Sequence, residues 1–320
     1  MPLLMRRHGL CFRCPVGCAL KVILAAVVAS GPTFAWRPAV SVAPVPQRGD
    51  CAARRATSAV PEAAAPSTAG RKLGSLSIGL VAGGLGGALG LGGGFLVVPA
   101  LNSLMGLEPR KSIGTSSFVV LATSASAVCT YIHEGLASLR AAGAIAVTAV
   151  ISARMGASMT NKVKPKTLKK GFGAWLLLVS VVIMAKALRL LPVHSSVTHA
   201  GATAALLPLS GLGIASGLVS GLLGVGGGTV LVPVLALAFA FPQSEAQGSA
   251  LLAMLLPSVV SCSTHWSKGN VDRDLAGFAV LGALLGGFGG GEMAALLPER
   301  ALRLIFAAVL SVVAVKYIRS

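Results

Sequence analysis

Charge is scarce in this chain. Only 11% of its 320 residues are Asp, Glu, Lys or Arg while 54% are apolar, against about 25% charge in ordinary soluble domains. A soluble domain of this make-up could not clothe its surface, so the composition points to a polytopic membrane protein. Acids are rarest, nine against 27 Lys and Arg. Aromatics reach only 5% and are not interleaved with a basic stripe, which excludes a nucleic-acid platform. Four of the six cysteines, Cys11, Cys14, Cys18 and Cys51, precede residue 52, and Cys129 and Cys262 sit inside apolar runs. No disulfide framework is implied. The C-x2-C-x3-C spacing of the first three suggests zinc but is read as coincidence, because the segment that carries it is expected to be removed. P-loop, G-x-S-x-G and H-E-x-x-H strings are missing, which argues against an ATP-driven pump and the common hydrolases. The reading is not an enzyme, with no cofactor and no metal.

The formal charge of +18 divides along the chain. Residues 1–74 hold ten Lys and Arg against Asp50 and Glu62; the rest hold seventeen against seven acids. The later cations fall mostly in short loops between apolar runs, where lipid head groups and topology account for them. Residues 1–34 have the layout of a signal peptide: Arg6, Arg7, Arg13 and Lys21, a short apolar run over 22–30, then small residues and Pro32. Nine apolar residues make about 14 Å of helix, too short for a bilayer core of about 30 Å. Residues 35–72 are rich in Ala, Pro, Ser and Arg, the make-up of an organelle transit segment. Together they resemble the bipartite leaders that deliver proteins to complex plastids, with Phe34 after the first cleavage point. A secretory signal followed by an unstructured tail, leading to a secretory-pathway or plasma membrane, is the alternative.

Glycine is the abundant residue, with 40 copies, and its spacing repeats. At an offset of 134, Gly79, Gly83, Gly87, Gly90, Gly92, Gly93 and Gly94 fall on Gly213, Gly217, Gly221, Gly224, Gly226, Gly227 and Gly228, and Pro99 falls on Pro233. We read a tandem duplication: membrane repeat 1 over 73–188, a linker over 189–204, and membrane repeat 2 over 205–320. The fold class is an all-α polytopic membrane protein with about four helical segments per repeat. In the first repeat the last three are runs over 112–131, 139–160 and 168–188, each of spanning length. The first, over 75–107, is interrupted at Gly92-Gly93-Gly94, as its partner is at Gly226-Gly227-Gly228. Whether it crosses the membrane or returns is left open, and with it whether the repeats are inverted.

Backbone unwinds at membrane depth only where protein or a water-filled cavity satisfies it, and paired interruptions in two halves point to a transport site. A helix restarting after such a break offers free amides and the positive end of its dipole, which suits an anion. The candidate substrate-binding residues are therefore Gly92, Gly93, Gly94 and Phe95, and Gly226, Gly227, Gly228 and Thr229, with Thr115, Ser116, Ser117 and Ser249 as nearby hydroxyl donors. Arg154 and Glu292 are candidates for a charge or proton role. His133 and His265 read as interfacial. Glycines at four-residue spacing, Gly79/Gly83/Gly87, Gly213/Gly217/Gly221 and Gly282/Gly286/Gly290, read as helix-packing faces.

The stretches Gly90-Leu-Gly-Gly-Gly-Phe-Leu-Val-Val-Pro99 with Ser112-Ile-Gly-Thr-Ser-Ser117, and Gly224-Val-Gly-Gly-Gly-Thr-Val-Leu-Val-Pro233 with Gly248-Ser249, resemble the TauE/SafE family of membrane transporters over residues 71–320. The resemblance implies two related halves and export of sulfite or other sulfur-containing or organic anions. Ala250 stands where the first half has Ser116, so the hydroxyl contribution need not be symmetric. The implied partners are a small anion, the lipid bilayer and, at most, further copies of the chain. Two rival classes are a non-transporting membrane scaffold and an intramembrane serine protease built on Gly156-Ala-Ser158-Met with His265 as base. The basic loop Lys162, Lys164, Lys166, Lys169 and Lys170 is expected to face the cytoplasm or its organellar equivalent.

Overall fold

The computed structural model of the protein describes residues 68–160, 165–187 and 202–319, which form ten helices. The signal-like segment, the transit-like segment up to residue 67 with the four early cysteines, most of the linker, and residues 161–164 of the basic loop lie outside the described residues. The helices are α1 (Thr68–Leu89), α2 (Gly94–Leu104), α3 (Pro109–His133), α4 (Leu139–Met159), α5 (Pro165–Ala187), α6 (Ala202–Leu223), α7 (Gly228–Leu237), α8 (Gln243–Ser267), α9 (Arg273–Leu296) and α10 (Glu299–Arg319). Each of α6 to α10 starts 134 residues after its counterpart in α1 to α5. Among the described residues α1, α3, α4, α8 and α9 are long and apolar enough to cross a membrane. The first of these begins earlier than its apolar run: Thr68 to Gly74 is already helical, so α1 is about 33 Å long.

Close contacts fix the directions. Gly79, Gly83 and Gly87 of α1 lie on the backbones of Ala279, Ala283 and Gly287 in the same order, so α1 runs parallel to α9. Gly213, Gly217 and Gly221 of α6 lie on Ile145, Ala149 and Ala153, so α6 runs parallel to α4. These are the glycine faces read from sequence as packing faces; the first helix of each half packs on the fourth of the other. After the break α2 turns back along α1: Gly93 abuts Ala82, and Met105 reaches Gly74. The broken segment therefore returns to the end of the bundle where α1 starts, here the near end. The α6–α7 pair, where Gly227 lies back against Ser216, dips in from the far end. Between them α3 runs near to far, α4 far to near and α5 near to far; α8, α9 and α10 follow with every direction reversed.

The outer surface and one interior face differ from those of a soluble bundle. Large apolar residues face outward, with Val147 and Ile151 of α4 at 68% and 65% exposure and Leu285 of α9 at 68%. The buried face of α3 instead carries Ser112, Thr115, Ser116, Ser117, Thr123, Ser124, Ser126 and Thr130. Lipid tails impose no penalty on outward Val, Ile and Leu, whereas hydroxyls in lipid lack partners and gather inside. Hydroxyls and glycines thus share the interior with buried apolar side chains such as Leu89, Phe95, Ile145 and Phe306.

Candidate functional site

Each break begins where a helix runs out of side chains. Beyond Leu89 the backbone turns through Gly90, Gly92 and Gly93 at φ of 72°, 77° and 79°, a left-handed conformation that a Cβ opposes. The amides of Leu91 and Gly92 both return to Gly86 O at 2.9 and 3.2 Å, sealing the end of α1. The amides of Gly93, Gly94 and Phe95 donate to no acceptor among the described residues. The second break follows the same course with Gly224 and Gly226 at φ of 63° and 90°. Gly227 departs from it at φ −70°.

The two breaks interlock. A Cβ on Gly94 would lie 2.5 Å from Gly224 O and 2.8 Å from Val225 C, and one on Gly228 would meet Gly90 O and, at 2.9 Å, Leu91 Cα. Gly92 and Gly226 each face both Val120 and Met254, which sit halfway along the 25-residue helices α3 and α8. The meeting point is therefore at mid-depth of the bundle, with the free ends of α2 and α7 approaching it from opposite sides. No large side chain separates them.

Beside the second break a narrow crevice, closed to a water-sized sphere in this state, is lined by Ser117, Val120, Ser220, Gly224, Gly226, Ser258 and Ser261. Ser117 Oγ and Ser261 Oγ stand 3.3 Å apart. The Ser258 hydroxyl is buried and has no partner. So is the hydroxyl of Ser124, which sits beside Gly92 and precedes Ser258 by the same 134 positions. A buried hydroxyl without a partner costs about 1–3 kcal/mol, a cost that alanine would remove.

The candidate residues fall in different places. Gly92, Gly93, Gly94, Gly226, Gly227, Gly228 and Ser117 come together at the meeting point or its crevice. Phe95 begins the restart by its backbone, but its ring is packed in the apolar core. Thr229 donates to Gly226 O at 3.2 Å and Ser116 to Gly224 O at 2.7 Å, so both brace the second break. Thr115 and Ser249 are elsewhere: Thr115 Oγ1 accepts from the Asp272 amide at 3.2 Å near one end of the bundle, and Ser249 Oγ accepts from the Ser138 amide at 2.8 Å near the other. They stitch the loops before α9 and α4. Thr115→Val and Ser249→Ala should each cost about 1 kcal/mol of stability, read as a lower melting temperature in detergent, with the apparent affinity for the transported solute unchanged. Arg154 is exposed on α4. Glu292 is exposed near the far end, 3.4 Å from Thr130 Oγ1. The structure brings neither to the breaks.

Sequence reasoning missed the supporting residues. Tyr131 Oη lies 3.2 Å from the carbonyls of Gly87 and Ala88, and His265, 134 positions later, donates from Nε2 to Gly221 O at 3.1 Å. His265 is fully buried, which corrects its reading as interfacial; His133 is exposed. Each ring clamps the last turn of the helix before a break, so the 134-residue offset could have paired them. Ser124, Ser220, Ser258 and Ser261 carried no motif, and only the packing singles them out. Among the described residues no group of three or more His, Cys, Asp or Glu stands close enough to hold a metal ion. Ser158 donates to Met155 O and is exposed, while His265 Nε2 is engaged with Gly221.

Re-entrant helices that meet through bare backbone at mid-depth, inside a multi-pass bundle, are the architecture of a membrane transporter. The comparisons agree. The profile of the family described as sulfite exporter TauE/SafE matches residues 9–183 and 209–320, and the chain belongs to that family. It is 28% identical over 228 residues to the probable membrane transporter protein YunE of Bacillus subtilis, covering 66% of this chain and 84% of that protein. It is 31% identical over 169 residues to a probable membrane transporter protein of Methanocaldococcus jannaschii, covering 50% and 60%. Sulfite exporter TauE/SafE family protein 1 of Arabidopsis thaliana is 29% identical over 117 residues, 37% of this chain and 25% of that protein. No solved structure matches. The protein is an integral multi-pass membrane transporter, sulfite exporter-like in family.

Proposed function

We propose that the protein carries a small sulfur-containing anion, sulfite or an organosulfonate, bound between the two glycine breaks. One observation carries the reading: the breaks interlock at mid-depth, where unpaired amides and two buried, unpartnered hydroxyls stand together. Amides and hydroxyls there can replace part of an anion's hydration without burying a full positive charge. The constant offset of 134 between helix starts, with every direction reversed, supports a duplicated unit whose copies lie inverted in the membrane. Inversion gives each face its own re-entrant pair, so rocking one half against the other could expose the same centre alternately to either side.

The charge distribution supports an orientation. Arg71, Lys72, Arg110, Lys111, Arg154, Lys268 and Arg273 belong to the near half of the bundle, and the lysines around the α4–α5 junction fall in sequence between helix ends at the near end. The far end has fewer cations, Arg140, Lys186, Arg300 and Arg303; acids occur at both ends, Glu108, Asp272 and Asp274 at the near one and Glu134, Glu245 and Glu299 at the far one, and weigh little in setting orientation. The near end then faces the compartment from which the chain inserts, and the leader's composition supports a plastid membrane as its destination. The function is tested by labelled sulfite flux into vesicles holding the purified full-length protein, with taurine, sulfoacetate and sulfate as competitors. Saturable sulfite flux without proteolysis supports it. Flux no greater than in empty vesicles for every anion favours the scaffold reading.

A further inference from the structure

We propose that the anion is seated on one side only of the paired breaks, in the serine crevice between α3, α6 and α8, and that this seat selects singly charged oxyanions. The inference rests on the anion-transport reading and deepens it. The two breaks follow similar courses, but their surroundings do not. Ser117, Ser220, Ser258 and Ser261 gather at the second break, whereas the positions 134 residues away from them are Leu251, Gly86, Ser124 and Ala127. One hydroxyl survives at the mirror site, and at Gly86 any side chain would run into the backbone of Gly93. A symmetric centre shared equally by both halves would not need four serines on one side.

The hydroxyls are poised rather than spent. Among the described residues Ser258 Oγ is buried without a partner and no hydrogen bond is made by Ser220 Oγ; Ser117 Oγ donates to Ile113 O at 3.1 Å and keeps acceptor capacity toward Ser261 Oγ, 3.3 Å away. Gly226 adds an amide that donates to no acceptor among the described residues. In this state the crevice is too narrow for a water-sized sphere, so loading requires the second break to draw back from α3 and α8. That break is the less closely packed on its own first helix: a Cβ on Gly227 would come no nearer than 3.2 Å to Ser216, where one on Gly93 would stand 2.5 Å from Ala82 O.

The lining also fixes the charge. Lys, Arg and His are absent from the residues that line the crevice; the nearest on the same face of α8 is His265, four residues past Ser261 and engaged with Gly221 O. The cost of taking an ion out of water rises with the square of its charge, and a second charge would find no cation to meet it. Serine oxygens also accept hydrogen bonds, so they can hold the hydroxyl of a protonated oxyanion. A sulfonate or a hydrogen-bearing monoanion fits; a bare dianion does not.

The test is flux of methanesulfonate, which carries one charge, against sulfate, which carries two, in vesicles holding the full-length protein. Wild type is expected to move methanesulfonate at least about tenfold faster, as loss of a hydrogen bond's worth of stabilisation per extra charge would give. Ser258→Ala and Ser261→Ala should each raise the methanesulfonate KM about tenfold, Ser258→Thr should stay within about threefold of wild type, the mirror variant Ser124→Ala should cost clearly less than Ser258→Ala, and Ser263→Ala, exposed on the same helix, should stay within about twofold. Equal losses from Ser124→Ala and Ser258→Ala, or sulfate carried as fast as methanesulfonate, overturn the one-sided, singly charged seat while leaving anion transport standing. Binding by the purified protein, read as a rise in melting temperature with methanesulfonate that Ser258→Ala removes, checks the seat apart from turnover. Flux of no anion at all overturns both readings together.

Discussion

Gly94→Ala is expected to cut anion flux at least about 30-fold. The added methyl is one of the smallest changes available, and in an open helix it would be favourable by about 1 kcal/mol. At Gly94 it would lie 2.5 Å from Gly224 O and 2.6 Å from Val120 Cγ2, and the first of these is backbone that cannot swing aside. The two breaks must separate, so donors preset for the anion lose their geometry; a 1 Å misplacement costs about 100-fold in comparable settings. Gly228→Ala, facing Gly90 O, should behave alike. Gly143→Ala is the control, since nothing lies within 4 Å of the new methyl. Uptake of labelled sulfite by reconstituted vesicles reads all three, and wild-type flux in Gly94→Ala would sink the assignment of the breaks to the site.

Gly83→Val should destabilise the protein by about 3 kcal/mol or more, the largest stability effect expected outside the breaks. Its Cβ would stand 2.6 Å from Ala283 O and 2.8 Å from Ala283 Cα. Two helix backbones at that distance cannot make room without parting along their length. In lipid, helix association depends on close van der Waals packing because apolar burial gives no net drive, so a parted seam recovers little elsewhere. Gly286→Val presses on the other side of the same seam, against Leu80 O and Gly84 N. The double variant should be less than additive, because one displacement relieves both contacts. Gly289→Val, on the same helix with nothing within 4 Å, should change the melting temperature little. Thermal unfolding in detergent separates these outcomes.

Much of the architecture was legible in the residues because lipid narrows the choices. Runs over 112–131 and 139–160 anticipated α3 and α4, since only helices satisfy their own backbone in hydrocarbon. Glycines at four-residue spacing marked the seams, because no other residue lets backbones approach so closely. The triple glycines marked the breaks for a different reason, a left-handed turn at Gly92 and Gly93. The hydroxyl candidates were less legible. Ser and Thr bond readily to nearby backbone, so Thr115 and Ser249 could have been donors to substrate or stitches between loops, and they are placed as stitches. Nothing in the sequence around Ser258 distinguishes it from the many serines of α8.

The sequence by itself determined that this chain lives in a membrane, that its helices break twice in matching places, and that it resembles one transporter family, because composition and glycine spacing act locally along the chain. Only the tertiary structure decided that the broken segments turn back instead of crossing, that the two breaks touch, and that the serines gather at one of them. Those facts depend on which helix lies against which, and a hydroxyl's role is set by the neighbour it meets across the bundle, often more than a hundred residues away.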